Sequence, residues 1–166
     1  AADKGGPSLI GPRRSTRRRV MHLFVLSPYF DAVATSARLS EASGSCVVIS
    51  TCALLPSEVA QLQAAGPQVL FHLFNDELTD ATLAALDDGL TSDLDRIGRD
   101  AGATEVANLV YVELFIKGVS LRRNRLVANR IRTRYGPASS LAVCAGPNVS
   151  PPVWAEVFPE AVVQAL

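Results

Sequence analysis

Five short apolar runs constrain this chain most: Val20–Leu26, Cys46–Ser50, Val69–Phe74, Leu109–Ile116 and Leu141–Cys144. Each is too short for a lone helix, several are rich in Val, Ile or Phe, and each is followed by a stretch with helical spacing. Strands that alternate with helices form a parallel sheet covered on both faces. The expected fold is therefore α/β: a three-layer Rossmann-like open sheet, mostly parallel, of about five strands with helices on both faces. Such sheets take their ligands at the carboxyl ends of the strands, which gives a site an address before any residue is chosen.

The runs also mark the organisation. Residues 1–19 carry Gly5-Gly6-Pro7, Gly11-Pro12 and an arginine cluster, the composition of a flexible arm, and residues 20–166 read as a single domain. Thr16-Arg17-Arg18-Arg19-Val20-Met21 resembles a twin-arginine export pattern, but Pro28 and Asp31 interrupt the apolar stretch behind it, which reads better as a first strand. No run approaches the ~20 apolar residues that span a bilayer.

Helix boundaries follow from capping chemistry. Asp31 is placed to cap a helix over 31–42 that Ser43-Gly44 stops, and Pro56 opens a second that Gly66-Pro67 ends. Leucines from Leu78 to Leu94, with Ile97, recur at helical spacing, read as two helices broken near Gly89. Leu109–Ile116, the longest run, is expected to be a central strand, parted by Gly118 and Ser120 from a basic helix over 122–135. Val127, Ala128, Ile131 and Tyr135 share one face of that helix. A last helix holds Trp154, Val157, Ala161 and Val162, with Pro159 dividing or kinking it.

Charge is balanced overall, with 16 basic and 16 acidic residues, yet strongly segregated. Asp76 to Glu105 holds nine acids against Arg96 and Arg99, whereas Lys117 to Arg134 holds seven bases and no acid. The arginine helix is open to three readings: a solvated face, a partner for the acidic segment within the chain or across a dimer, or a phosphate-binding surface. Zero net charge and sparse aromatics argue against nucleic acid as the partner. Three cysteines without CxxC spacing exclude a disulfide framework and a structural zinc site, and point to reduced thiols and a cytoplasmic setting.

No named catalytic motif is present. A Gly-x-Gly-x-x-Gly loop is missing after the first strand, where the chain has Leu26-Ser27-Pro28-Tyr29-Phe30, and a phosphate loop ending in Gly-Lys-Ser/Thr is missing throughout. His22 and His72 sit inside strand runs, as core histidines do. Glu113 interrupts the fourth run, where a carboxylate is an ion-pair partner, a solvent-facing group or a base of raised pKa. The polar residues where strands end form the candidate ligand site: Ser27, Tyr29, Thr51, Asn75 and Asn148, with Lys117 and Arg122 to offset phosphate charge. Asp76 and Glu113 are the candidate catalytic groups; no metal or cofactor is expected.

The order of elements over residues 20–166 resembles one Rossmann-like half of a two-domain glycosyltransferase of the nucleotide-sugar type. That resemblance implies a nucleotide, nucleotide sugar or sugar phosphate as ligand, a transferase role, and a second half or partner subunit to complete the cleft. The alternative is a non-catalytic assembly or regulatory module that oligomerises or binds a partner through its acidic and basic faces.

Overall fold

The computed structural model describes residues 20–66, 68–101 and 105–166, with side chains described at 20–66, 68–96 and 116–166. In chain order the elements are β1 (Met21–Leu26), α1 (Ala32–Glu41), β2 (Ser45–Ser50), α2 (Pro56–Ala65) and β3 (Val69–Leu73). A 3-10 turn (Phe74–Glu77), α3 (Asp80–Ala101), α4 (Glu105–Tyr135), β4 (Ser140–Val143), α5 (Pro151–Val157) and β5 (Val162–Ala165) follow. The five strands form one sheet in the order β3-β2-β1-β4-β5, every neighbouring pair parallel, as the alternation predicts.

Alternating side chains sort the sheet into two cores. Phe24, Leu26, Cys46, Val48 and Ala142 pack with Leu39 of α1 and Leu62 of α2. Leu23, Val25, Val47, Ile49, Leu141 and Val143 point the other way, onto Val127, Ala128 and Ile131 of α4 and Trp154 of α5. Burial of these apolar groups is the main favourable term in the fold. α3 lies against α4, which places it outside the second core.

Local chemistry sets the first boundaries as expected. The Asp31 carboxylate accepts from Val33 N and Ala34 N, at 2.8 and 3.0 Å, and starts α1. Pro56 is the first residue of α2, where its missing N–H costs nothing.

Three expectations are corrected. Leu109–Ile116 is not a strand: it belongs to α4, a single 31-residue helix that also contains the basic segment. Gly118 does not break it; a Cβ there would lie 2.8 Å from Leu90 Cδ1, so the glycine lets α3 pack closely. Glu113 is thus on a helix rather than in a central strand, and its side chain lies outside the described residues. Gly89 likewise lies inside a continuous α3. At the C-terminal end, α5 stops at Val157 ahead of Pro159, and Val162 belongs to β5 rather than to a helix. Proline removes an amide donor and pushes the preceding residue out of helical geometry. Val162 N then donates to Ser139 O and opens the edge pairing.

Candidate functional site

Because β1 lies between β2 and β4, the chain reverses its direction across the sheet there, and the crevice beyond β1 and β4 is the expected ligand position. That crevice is sealed. Ser27 is fully buried; its Oγ lies 3.1 Å from Cys144 Sγ, donates to Ala145 O and accepts from Tyr29 N. Gly146 presses on it so closely that a Cβ there would stand 2.6 Å from Ser27 Oγ. The nearby N-terminus of α1 already holds the Asp31 carboxylate, and at α2 the Glu58 carboxylate accepts from Leu55 N at 2.7 Å. Both helix N-termini have their own anions, so neither is an open phosphate site.

The open space lies to one side, between the strand ends and α4. It is a cleft of about 560 Å³, within the range of small-ligand sites. Thr51 beyond β2, Phe74 and Asn75 in the 3-10 turn, and Pro147 and Asn148 beyond β4 form one wall. Ile116, Lys117, Val119, Ser120, Arg123 and Asn124 of α4 form the other. Among the described residues lining it there are two cations and no carboxylate. Phe74, Ile116, Val119 and Pro147 supply an apolar surface beside those cations.

Asn124 holds the two walls in register. It is fully buried, and its Nδ2 donates to Ser120 O at 2.8 Å and to Asn148 O at 3.0 Å. Its Oδ1 accepts from Ser150 N at 3.1 Å and from Trp154 Nε1 at 2.8 Å. One side chain therefore ties α4 to the β4–α5 loop and to α5. It also fixes Asn148, whose φ of 64° is a left-handed geometry that asparagine tolerates better than most residues. Thr51 is held too, donating through Oγ1 to Leu26 O at 2.9 Å.

Of the residues marked out by strand ends and charge, Thr51, Asn75, Lys117 and Asn148 come together around this cleft. Ser27 does not, being buried under Gly146. Tyr29, 76% exposed, stands apart from it. Arg122 turns away to an ion pair with Asp93 on α3. Asp76 is exposed on the 3-10 turn and does not line the cleft. Ser120, Arg123 and Asn124 are not among the candidate site residues read from the sequence. Their signal is helical spacing: 116, 120, 123 and 124 fall on one face of α4, which is visible only once the fourth run is read as helix.

The segregated charges meet within the chain. Arg134 pairs with Glu77 at 2.8 Å and Arg122 with Asp93, both in the acidic segment, while Arg125 and Arg132 pair beyond it with Glu156 at 3.0 Å and Glu160 at 2.8 Å. Arg130 donates to the Glu77 carbonyl oxygen. Folding thus uses much of the basic face that a charged docking surface would need.

Both histidines have hydrogen-bond partners within the chain. His22 Nε2 donates to Ser43 O, and its Nδ1 lies 2.7 Å from Ser140 Oγ. At His72 the Arg134 guanidinium can only donate, so Nδ1 accepts and Nε2 donates to the Tyr135 hydroxyl. Burial, then the Arg134 charge, holds the His72 pKa below the usual histidine value, against the opposing pull of Glu77 and Asp76. Burial pushes the Cys46 thiol up, away from reactive thiolate. Among the described residues no three His, Cys, Asp or Glu side chains come together as metal ligands, and no helix is long and apolar enough to cross a membrane.

Compared with protein-family models, with curated proteins and with solved structures, the chain has no match.

Proposed function

We propose that this α/β domain binds a small phosphate-bearing ligand, of the nucleotide, nucleotide-sugar or sugar-phosphate class, in the cleft between its strand ends and α4. The observation that carries this reading is the pairing of Lys117 and Arg123 with an apolar wall, in a cleft whose described lining holds no carboxylate. A guanidinium matches the geometry of phosphate oxygens, and an apolar surface suits a flat base or the face of a sugar ring. Asn75, Asn148 and Ser120 add polar groups suited to hydroxyls.

The sealed β1–β4 crevice and the occupied helix N-termini set this site apart from a glycine-loop dinucleotide site. Chemistry at the cleft would need a general base within hydrogen-bond reach of the substrate. Asp76 and His72 both lie outside the lining, and the Glu113 side chain lies outside the described residues, so the reading is one of binding.

Titration calorimetry with inorganic phosphate, pyrophosphate, uridine, UDP, ADP, UDP-glucose and glucose 1-phosphate tests it. The expected result is saturable binding of the nucleotides that weakens as salt is raised, with uridine alone silent. Flat heats and an unchanged melting temperature across the whole panel would sink the reading.

A further inference from the structure

One of the contacts made by the α4 arginines differs from the others. Arg125, Arg132 and Arg134 reach their carboxylates at 2.8–3.0 Å, within hydrogen-bond distance. Arg123 Nη2 stands 3.9 Å from Asp87 Oδ1 on α3, too far for a hydrogen bond. Arg123 Nε and Asp87 Oδ1 are both buried, and neither has a hydrogen-bond partner among the described residues. This pair has given up water at both atoms without gaining the bond that normally repays it. It is also the pair whose arginine lines the cleft.

From this we infer that Arg123 is the residue that takes the ligand's phosphate, and that Asp87 is its internal competitor. The inference rests on the binding reading above. In the absence of ligand the guanidinium is drawn to Asp87 by charge alone. A phosphate in the cleft offers two oxygens to the same fork and forms the hydrogen bonds that Asp87 does not. Release is inexpensive on the other side, because the Asp87 side chain is 42% exposed and takes up water once its partner turns away.

The competition also confers selectivity. A monocarboxylate ligand offers Arg123 no more charge than Asp87 already supplies, whereas a phosphate dianion offers more. The cleft therefore favours phosphates over carboxylates, and Asp87 sets how strongly.

The test is calorimetry of pyrophosphate and UDP with the wild-type protein, Asp87→Asn, Arg123→Gln and the double variant. Asp87→Asn is expected to bind both probes roughly five- to tenfold more tightly. Arg123→Gln should bind them at least about tenfold more weakly, and the double variant should match Arg123→Gln, since the competitor then has nothing to compete for. Asp87→Ser removes the same charge and serves where the amide disturbs folding, as judged by circular dichroism. Wild-type protein that binds while both Asp87 variants bind equally or more weakly would overturn the inference and leave the binding reading intact. Wild-type protein that binds neither probe would overturn the binding reading itself, and the inference with it.

Discussion

Toward its C-terminal end, α4 is fixed at almost every residue. Val127, Ala128 and Ile131 are fully buried in the second core, Arg132 holds both Glu160 and the Val157 carbonyl, and Arg134 holds Glu77 and His72. Between Ile116 and Asn124 the same helix borders the cleft, and there Arg123 has a slack partner in Asp87. Arginine is used in both stretches, but among the described residues only the one beside the cleft leaves buried polar side-chain atoms without a partner. Buried polar groups in folded proteins are nearly always satisfied, so the exception points to a site and the satisfied half to architecture.

That contrast breaks most sharply at Asn124, which borders both halves. Asn124→Ala would leave Trp154 Nε1, Ser150 N and the Asn148 carbonyl without their partner. A loss of ~3–5 kcal/mol in urea denaturation is expected. A variant within ~1 kcal/mol of the parent would mean that water replaces the side chain freely.

Gly146→Ala probes the sealed crevice. The added methyl would meet Ser27 Oγ at 2.6 Å and Ser27 Cβ at 2.7 Å, so ~1–3 kcal/mol of overpacking is expected. Unchanged stability would show that the crevice can open, and would return Ser27 to the list of ligand contacts.

Arg134→Gln should cost ~1 kcal/mol. It leaves the Glu77 carboxylate, 9% exposed, without its cation, while the arginine itself is half-exposed, which limits the loss.

The smallest expected effect is a pH slope from His72. Its folded pKa is depressed, so the unfolded chain takes up the proton first. The stability tied to neutral His72 is fully present above about pH 6.5 and is lost as pH falls through the lower folded value. His72→Gln should flatten that part of the stability–pH curve. An identical slope in the variant would assign it to other groups.

How far these features are legible in the sequence depends on whether their causes are local. Asp31 and Pro56 act on their own helix ends, and both boundaries fall where the residues indicate. The run at 109–116 is ambiguous because a short apolar stretch suits a buried strand or a buried helix. What decides it is distant: Leu90 of α3 packs against Gly118, so the glycine that reads as a breaker is a contact point. β5 is hidden for another reason. Val162 and Val163 are both exposed at the sheet edge, so no alternation of apolar and polar residues marks the strand. Thr51, Asn75 and Asn148 were findable because strand ends are findable. Arg123 was not, since on a helical wheel it looks like its neighbours Arg122 and Arg125, and only its loose partner distinguishes it.

The most direct test of the division within α4 is to measure stability and UDP binding together in Arg123→Gln and Arg134→Gln. The account predicts that Arg123→Gln stays within ~0.5 kcal/mol of wild type yet loses UDP affinity. Arg134→Gln should lose stability and bind UDP as wild type does. An Arg123→Gln protein that is as destabilised as Arg134→Gln and binds UDP undiminished would contradict it.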